Sequence, residues 1–474
     1  MKPDRQVYLL DPQCLKPEVI AVAFAKTSRS PQSFREIAAE LTDEKSAEFH
    51  EKWVVGYGHS SVAEHAVLHI AVENVSRLAV ETLESNRLAS YTEKSTRYQK
   101  WGLDDFYVPR ELEEHLLLEG YVQTCRTLFE TYHQALPAVR QVIAARTPRK
   151  DIESEKAYEA RIRSDYIDVC RFLLPAASLA NVGMTINARA LEHAIRKMLS
   201  HPLEEVQVMG AEIKKVALAE VPTLIKYADS SPYLVDTWHV LARAASQPKL
   251  MKEQPDDWCR LISFDPECEE RLLASALFRF SDSGYAHAVQ QVRSLPPSER
   301  QRLALTLLGA ATKFDIPLRE LEHSTYTFEL VLDQGAYFEF KRHRMMTQTT
   351  QPLSTHLGYA MPGAIVAAGM ESPFRQAMDL ARETYEKLAG FNPEVASYVV
   401  PNAYRRRVLF TTNLRSLDHF IALRSAPNAH FSMRRVAHRV AEEIRKVTPL
   451  LGDHLHESPG ETWQDVETKF FSIC

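Results

Sequence analysis

The second half of the chain carries three consecutive side chains rich in nitrogen, Arg342, His343 and Arg344. Like charges placed this close repel one another unless an anion shares the cluster, so the triplet suits an anion-binding site. An exposed basic turn is the alternative, and the triplet alone does not exclude it. Arg424 favours a ligand site, because its planar guanidinium can bind phosphate or a carbonyl through several donors.

Arg424 ends a pattern that is typical of one face of a helix. The stripe consists of Asn413, Leu417, Phe420 and Arg424, with Arg415 and His419 on a second stripe beside it. The spacing of i, i+4, i+7 and i+11 places the first four on the same face. Polar residues at both ends of an apolar stripe are unusual in a core helix and indicate the wall of a ligand cavity.

The first half contains two polar segments of a different kind. One runs over residues 58–65 and includes His59, Ser61 and Glu64; the other runs over residues 87–98 and includes Arg87, Glu93, Ser95 and Arg97. In an extended chain Glu93, Ser95 and Arg97 would point the same way. Both segments could instead be ordinary polar loops, and a lone histidine such as His59 is more often a satisfied polar residue than a catalyst.

These residues recur in the same order in both halves. Glu64-His65 is echoed by Glu322-His323, Arg87 by Arg344, Glu130-Thr131-Tyr132 by Glu383-Thr384-Tyr385, and residues 187–193 by residues 413–419. Each half is domain-sized rather than solenoid-sized. We therefore predict two homologous domains, 1–240 and 241–474.

Hydrophobic periodicity predicts the elements that position these side chains. Val7–Leu10 and Arg260–Phe264 read as short strands, each followed by a helix, and segments 66–72 and 325–332 alternate as half-buried strands do. Apolar spacing predicts helices at 113–145, 189–200, 203–227, 376–390 and 413–448. The extra charged segment 146–163 of the first half is expected to be a solvated excursion, with a binding element as the alternative.

Bulk properties exclude several classes of function. The chain has 474 residues, 45% of them hydrophobic, which is enough for two cores. The formal net charge of −5 gives no basic excess of the kind that nucleic-acid binders show. No apolar run is long enough to span a membrane, and the six cysteines have no metal-ligand spacing. We predict a cytoplasmic protein with no membrane, nucleic-acid or metal partner.

Taken together, the segments resemble the flavin-dependent thymidylate synthase family. That family is marked by an Arg-His-Arg triplet, seven further residues and a serine, ending in Ser-x-Arg-Tyr. A Gly-His…Glu-His segment precedes the triplet, and an Asn-x-Arg helix with a later arginine follows it. Matching pieces run along both halves of this chain. As a combination they are specific, whereas any one of them alone would be weak.

The two halves depart from this pattern in complementary places. The first half replaces the start of the triplet with Ser85-Asn86 and has Met198 at the late-helix arginine, but it keeps Ser95, Arg97, Tyr98 and Arg171. The second half keeps the triplet and Arg424 but has Pro317, Pro352, Ser354 and Ser397 at the other family positions. Because family sites lie between subunits of a tetramer, the resemblance implies composite sites built from both halves, and a homodimer that forms a pseudo-tetramer.

The resemblance also implies a fold, a reaction and a set of roles. The fold is α/β (α+β), with two domains that each hold a small, mostly antiparallel sheet flanked by helices. The reaction is reductive methylation of dUMP to dTMP, with FAD as cofactor and with methylenetetrahydrofolate and NADPH as co-substrates. Arg424 and Arg342 would be catalytic, and Ser95, Arg97, Arg171 and Glu339 would bind the nucleotide. The cofactors would be bound by His59, Ser61, Glu64, Arg87, Glu93, His343, Arg344, Asn413, Arg415 and His419, with His59 beside the folate or the nicotinamide.

One departure keeps other functions open. The family's substrate-binding glutamine falls on Thr82 in the first half and on Glu339 in the second. A carboxylate near a phosphate or a pyrimidine carbonyl would repel it. The alternatives are the same flavin chemistry on a different pyrimidine nucleotide, a catalytically inactive flavin- or nucleotide-binding homologue, and a pair of helical domains that binds no ligand.

Overall fold

The computed structural model describes residues 6, 8, 10–12, 14–28, 30–56, 59–97, 99–245, 257–312 and 314–472. The chain forms two compact units. Unit 1 comprises Met1–Lys94, Tyr107–Leu116 and Ser178–Met251, and unit 2 comprises Ser95–Phe106, Leu117–Ala177 and Lys252–Cys474. Part of the predicted opening strand Val7–Leu10 and the family positions Gly58 and Tyr98 lie outside the described residues.

The regular elements are numbered in chain order. The strands are β1 (Val67–Ser76), β2 (Ala89–Glu93), β3 (Leu179–Asn187), β4 (Cys259–Phe264), β5 (Tyr326–Asp333), β6 (Thr347–Thr350) and β7 (Arg405–Thr412). The helices are α1 (Pro17–Thr27), α2 (Phe34–Ala39), α3 (Asp43–Phe49), α4 (Arg77–Glu84), α5 (Leu118–Arg146), α6 (Glu155–Cys170), α7 (Ala188–Leu199), α8 (Glu204–Ala217), α9 (Pro232–Ala245), α10 (Cys268–Phe278), α11 (Tyr285–Ser294), α12 (Pro297–Ala304), α13 (Gln334–Phe340), α14 (Gly363–Ala367), α15 (Glu371–Phe391), α16 (Pro393–Ala396), α17 (Leu414–Arg424), α18 (Phe431–Val447), α19 (Pro449–Gly452) and α20 (Trp463–Phe470).

Unit 1 is built on a three-stranded antiparallel sheet in the order β1-β3-β2. Alternation along β1 buries Leu68 and Ile70, as expected of a strand with one face on a core. Helix α7 begins where β3 ends, because the side chain of Asn187 caps the first turn by accepting from the backbone of Ala190 at 2.9 Å. The sheet and its following helix are therefore joined without an intervening loop.

Unit 2 contains a four-stranded antiparallel sheet in the order β4-β5-β7-β6. The rings of Phe328 and Phe410, on neighbouring strands, stack with centroids 5.2 Å apart. Both are fully buried, with Val436 and Val440 of α18 in the same core cluster. Burying these side chains is the main force that holds the sheet to its covering helix.

Unit 2 also contains a short antiparallel pairing between two equivalent segments of the halves. The backbone of Ala176 donates to Val400 O at 2.9 Å, and the backbone of Asn402 donates to Leu174 O at 2.9 Å. Pro175 and Pro401, which lie four residues after Arg171 and Ser397 respectively, face each other in this pairing. Helices α5 and α15 pack alongside, with a 2.7 Å hydrogen bond between Thr124 and Thr384. A segment of the first half is thus folded into unit 2.

The predicted α/β class with antiparallel sheets and flanking helices is confirmed. Two predictions of detail were wrong. The helix predicted at 203–227 ends at Ala217, and the one predicted at 413–448 is two helices, α17 and α18. Pro427 lies in the break, where it disfavours helical geometry for its predecessor. Among the described residues, no helix is long and apolar enough to cross a membrane.

The compact units do not coincide with the predicted halves, since 95–106 and 117–177 belong to unit 2. The predicted boundary near residue 240 falls inside α9. Gln247-Pro248 and Gln254-Pro255, the sequence signals at that boundary, lie outside the described residues. Units describe packing, whereas the predicted repeats describe common ancestry. The division into 1–240 and 241–474 therefore stays a prediction.

Candidate functional site

Three of the predicted site residues meet in the interior of unit 2. Arg171 follows the last turn of α6, Glu339 lies in α13, and Arg424 is the last residue of α17. Arg171 comes from the first half of the sequence, whereas Glu339 and Arg424 come from the second. Their side chains are 4%, 8% and 12% exposed, so the cluster is largely shielded from solvent.

The carboxylate of Glu339 bridges the two arginines. Arg171 Nη2 donates to Glu339 Oε1 at 3.0 Å, and Arg424 Nη1 donates to Glu339 Oε2 at 2.9 Å. Arg424 Nη2 also donates to the backbone oxygen of Glu339 at 3.1 Å. Burial alone would raise the pKa of Glu339, but the positive charges of Arg171 and Arg424 outweigh it and lower that pKa. Glu339 is therefore ionised at neutral pH.

His343 fixes the orientation of the Arg424 guanidinium. Arg424 Nε donates to His343 Nε2 at 2.9 Å, which requires a neutral ring with its proton on Nδ1. Burial, followed by the charge of Arg424, lowers the pKa of His343 to about 3. The ring of Phe420 packs against His343 edge to face, with centroids 4.9 Å apart. His343 is thus a neutral acceptor rather than a cation.

A second ion pair lies beside the first, between Arg97 and Asp168. Arg97 Nε donates to both carboxylate oxygens of Asp168, at 2.9 and 3.0 Å, and Arg97 Nη2 donates to Oδ2 at 2.7 Å. Arg97 Nη1 donates to Asn428 O at 3.0 Å. Burial raises the pKa of Asp168 even though Arg171 and Arg97 act in the opposite direction. Three arginines and two carboxylates therefore leave the cluster with one net positive charge.

The cluster retains a donor that the protein does not satisfy. Arg171 Nη1 donates to Thr96 Oγ1 at 3.3 Å, but Arg171 Nε is buried and has no hydrogen-bond partner within the described part of the chain. A buried guanidinium donor without an acceptor is costly, by roughly 1–3 kcal/mol or more. A ligand with an acceptor oxygen at this position would remove that cost.

Of the two forms left open for segment 95–97, the structure shows the polar loop and not the extended chain. Strand β2 ends at Glu93, and Ser95–Arg97 forms a turn in which the Arg97 backbone donates to Ser95 Oγ at 3.2 Å. The condition under which Glu93, Ser95 and Arg97 would share one face is therefore not met, because a hydroxyl two residues away satisfies the backbone locally. Ser95 lies two residues from Arg97 in the sequence.

The other predicted residues of unit 2 differ in what they contact. Arg342 and His419 are exposed, and Arg344 is half-buried. Asn413 caps α17 by accepting from the backbone of Ser416 at 2.9 Å. Arg415 donates to Glu322 Oε1 at 2.7 Å and to Pro317 O at 2.8 Å. Asn413 and Arg415 thus hold the start of α17 in place. Arg342, Arg344 and His419 instead place basic groups near the cluster.

The remaining predicted residues belong to unit 1. His59, Ser61, Glu64 and Arg87 are exposed there, and the ring of His59 lies 6.2 Å from that of Trp53. Glu64 pairs with Arg189, the equivalent of the Glu322–Arg415 pair of unit 2. Glu93 forms a 3.2 Å ion pair with Arg77, and both side chains are almost completely buried. The ion pairs of Glu64 and Glu93 stabilise unit 1 internally.

Sequence reasoning missed Asp168 and His430. His430 caps α18, where Nδ1 accepts from the backbone of Ser432 at 3.2 Å, so Nε2 donates to Asp168 O at 3.2 Å. Its burial lowers the pKa well below the usual value. Asp168 is one of several acids in a charged helix, and nothing in its spacing separates it from the others. His430 follows the helix break at Pro427, which the predicted continuous helix concealed.

No group of His, Cys, Asp and Glu side chains that could hold a metal ion occurs among the described residues. The cysteines at positions 14, 125, 170, 259 and 268 are free, and burial raises the pKa of the Cys170 and Cys259 thiols. The cluster provides several largely buried guanidinium groups that are held in fixed orientations. Such a set binds anionic or carbonyl oxygens strongly.

Comparison with known proteins gives two kinds of relative. A UPF0159 protein of Chlamydia muridarum is 32% identical over 431 residues, covering 86% of this chain and 80% of that protein. A flavin-dependent thymidylate synthase of Thermococcus onnurineus is 33% identical over 224 residues, covering 47% of this chain and 83% of that protein. A solved structure of the flavin-dependent enzyme from Helicobacter pylori, complexed with FAD and dUMP, aligns with a TM-score of 0.31 and 19% identity over 42% of this chain and 99% of that chain.

The family model described as "Thymidylate synthase complementing protein" matches this chain twice, over residues 10–223 and 260–450. The two matches together span most of the sequence, and Arg171 falls in the first whereas Glu339 and Arg424 fall in the second. The chain therefore belongs to the thymidylate synthase complementing protein family, the family of the flavin-dependent thymidylate synthases.

Proposed function

We propose that this chain catalyses the FAD-dependent reductive methylation of dUMP to dTMP, with methylenetetrahydrofolate as carbon donor and NADPH as reductant. We further propose that the nucleotide binds at a composite site in unit 2, formed by residues of both halves of the sequence. The name of the Thermococcus relative supports the reaction class. The meeting of Arg171 with Arg424 at Glu339 supports the composite site, and it is the observation on which the proposal rests.

The protein's part in this reaction is to bind and orient the nucleotide. Arg424, held by His343 and by the backbone of Glu339, would present its guanidinium to a pyrimidine carbonyl and draw electron density from the ring. Arg171, with its unsatisfied Nε, and Arg97 would bind phosphate oxygens, while Ser95 would donate a hydroxyl. Arg342, which is exposed beside the cluster, would provide a further contact to the nucleotide. Burial strengthens each of these interactions because water is excluded.

The residues around the cluster are compatible with a flavin dinucleotide. Arg342, Arg344 and His419 lie around the buried His343, and basic groups of this kind suit a diphosphate. We propose that these residues of unit 2 contribute to FAD binding. For His59, Ser61 and Arg87 of unit 1, cofactor binding stays a prediction, with His59 beside the folate or the nicotinamide. Bound FAD would supply the redox chemistry by accepting reducing equivalents from NADPH and passing them on.

Tritium release from [5-³H]dUMP tests the proposed reaction. Methylation at carbon 5 breaks the C–³H bond and forms a C–C bond, so tritium appears in water. The reducing equivalents that convert the transferred methylene to a methyl group come from NADPH.

We expect tritium release that depends on FAD, NADPH and methylenetetrahydrofolate, and a loss of at least a hundredfold in Arg424→Gln and in Arg97→Gln. Arg382→Gln, an exposed arginine of α15, is the matched control and should retain activity. Absence of release from the flavin-loaded wild type, or full activity of Arg97→Gln, would contradict the proposal.

A second candidate function is favoured by Glu339. In the proposed site a carboxylate stands at the position where the family has a substrate-binding glutamine, and its oxygens can only accept hydrogen bonds. A pyrimidine with a donor group, such as the amino group of cytosine, would complement this acceptor better than uracil does. The same flavin chemistry on a cytosine nucleotide is therefore the alternative substrate assignment.

The Glu339→Gln variant separates the two assignments. Glutamine would free one positive charge in the cluster and restore a donor, so dUMP affinity should rise, by roughly tenfold for each 1.4 kcal/mol gained. If dCMP is the substrate, the same variant should weaken dCMP binding and leave dUMP unbound. Binding of each nucleotide to wild type and variant can be measured by calorimetry on the flavin-loaded chain. Failure of both proteins to bind either nucleotide would favour an inactive homologue.

A further inference from the structure

A large cleft in unit 2 lies mostly outside the candidate site. Its volume is about 1000 Å³, at the upper end of the range for small-molecule sites. Its walls come from the end of α5 with the loop and helix that follow, from residues 425–434, and from residues 458–470. Of the residues predicted from the sequence, Arg97 lines it, whereas Arg171, Glu339 and Arg424 do not.

The walls of this cleft carry an excess of positive charge. The basic side chains are Arg97, Arg146, Lys150, Arg161, Arg434 and Lys469, and the acidic ones are Asp165, Asp168 and Glu461. Three of the arginines are held by carboxylates, through the pairs Arg97–Asp168, Arg161–Glu153 and Arg434–Glu461. Arg146, Lys150 and Lys469 form no ion pair within the residues that the structure describes. Against these three cations stands one unpaired carboxylate, Asp165, so in a chain of net charge −5 the cleft keeps a net positive charge of two, which marks a site for an anion.

One side of the cleft is aromatic rather than charged. The rings of Phe431 and Phe470 are parallel, with centroids 5.0 Å apart, and the guanidinium of Arg434 lies 5.0 Å from the centre of the Phe470 ring. Ile143 and Val169 extend this apolar side. A partly exposed aromatic ring with an arginine over it is a surface on which a flat heterocycle can stack.

The segment expected to be a solvated excursion supplies much of the cleft. Residues 155–170 form helix α6, in which Ile162 and Ile167 are fully buried, so the segment is not simply solvated. Its charged residues Lys150 and Arg161 face the cleft. The second half of the sequence has no equivalent insertion, so the equivalent position there lacks this wall. The insertion therefore gives unit 2 a site that a simple repeat would not have.

We propose that this cleft binds a nucleoside polyphosphate, with the phosphates among Arg146, Lys150 and Lys469 and the base against Phe470. The cleft adjoins the proposed nucleotide site but has its own phosphate and base contacts, so its occupancy does not depend on the proposed reaction. It shares the Arg97–Asp168 pair with the candidate cluster, so an occupant of the cleft would contact a residue that also faces the candidate site. A nucleoside triphosphate could in this way alter nucleotide binding at the neighbouring cluster.

Calorimetric titration of the purified full-length chain with ATP and with inorganic tripolyphosphate tests this inference. We expect ATP to bind once per chain, and tripolyphosphate to bind at least fivefold more weakly because it has no base to stack. The double variant Arg146→Gln/Lys150→Gln should weaken ATP binding at least tenfold, and raised salt should weaken binding to the wild type. Lys387→Gln, which removes an exposed charge from α15, is the control and should bind as the wild type does.

Other outcomes would overturn the inference. Equal binding of ATP by the double variant and the wild type would show that the cleft does not hold the phosphates. Equal affinity for ATP and tripolyphosphate would remove the role of the aromatic side. Displacement of ATP by dUMP, together with loss of ATP binding in Arg424→Gln, would place ATP at the candidate site instead. The last result would leave the proposed reaction untouched, so the two proposals fail separately.

Discussion

At the scale of single residues, the cluster is defined by a carboxylate between two guanidinium groups. Sequence reasoning selected Arg171, Glu339 and Arg424 from the family pattern, each as a separate contact to a nucleotide. It did not predict that they would contact one another, because ion pairing between residues far apart in sequence depends on the fold. The pairing matters for function, since Glu339 satisfies part of the charge that a phosphate would otherwise neutralise.

The buried neutral His343 makes stability depend on pH. Its folded-state pKa of about 3 lies below the ordinary value of 6.5, so as pH falls the unfolded chain takes up a proton that the folded chain does not. The unfolding free energy should therefore decrease as pH falls from about 6.5 towards 3. Between pH 7 and pH 5 the contribution of this one residue is about 2 kcal/mol.

Urea unfolding of the wild type and His343→Gln at the two pH values checks this prediction. The variant should lose less stability on acidification, by about 2 kcal/mol. The control is His287→Gln, which replaces an exposed histidine of α11 and should leave the pH dependence as it is in the wild type. Identical pH dependence in His343→Gln and the wild type would mean that His343 titrates normally in the folded chain.

At the scale of elements, the decisive feature is the pairing of residues 172–176 with 398–403. Asn402 Nδ2 donates to the backbone oxygen of Arg171 at 2.9 Å, and Asn402 is 1% exposed. The bond positions the turn that carries Arg171. The equivalent residue of the first half is Ala176, which has no such donor. The two halves therefore differ at the proposed ligand-binding positions and also at a residue that positions one of them.

Asn402→Ala should destabilise the chain. Removing the amide takes one of two donors from the Arg171 carbonyl, which keeps the bond from Leu174 N at 3.1 Å, so the unfolding free energy should fall by about 1 kcal/mol. Asn428→Ala is the control, because the side chain of Asn428 is exposed and only its backbone oxygen contacts Arg97. Urea unfolding at pH 7 measures both. Equal stability of the two variants would rule out a structural role for the Asn402 amide.

The elements themselves were largely predictable, and the exceptions have physical causes. Alternation identified β1 and β5, and apolar spacing identified α5, α7 and α15, because these elements bury one face. The break between α17 and α18 was missed because apolar spacing continues through Pro427. The form of Ser95–Arg97 stayed open because a polar stretch has no periodicity to distinguish a strand from a turn.

At the scale of the whole molecule, complementary losses in the two halves predicted that the retained residues would be used together. Unit 2 contains Arg97 and Arg171 of the first half along with Arg424 of the second, and their use in one site stays a proposal. The division of the chain into these two compact units could not be predicted from the sequence. That division depends on which segments of the two halves pair with each other, and no local sequence pattern predicts the pairing of Pro175 with Pro401.

The central claim is that arginines from both halves form one nucleotide site per chain. Calorimetric titration of the flavin-loaded, full-length chain with dUMP tests it most directly, using Arg171→Gln from the first half, Arg424→Gln from the second, and Arg424→Lys to retain the charge. The account predicts one dUMP per chain for the wild type, a loss of affinity of at least tenfold in each glutamine variant, and partial recovery in Arg424→Lys. Two equivalent sites per chain, or unchanged binding in a folded Arg171→Gln protein, would contradict it.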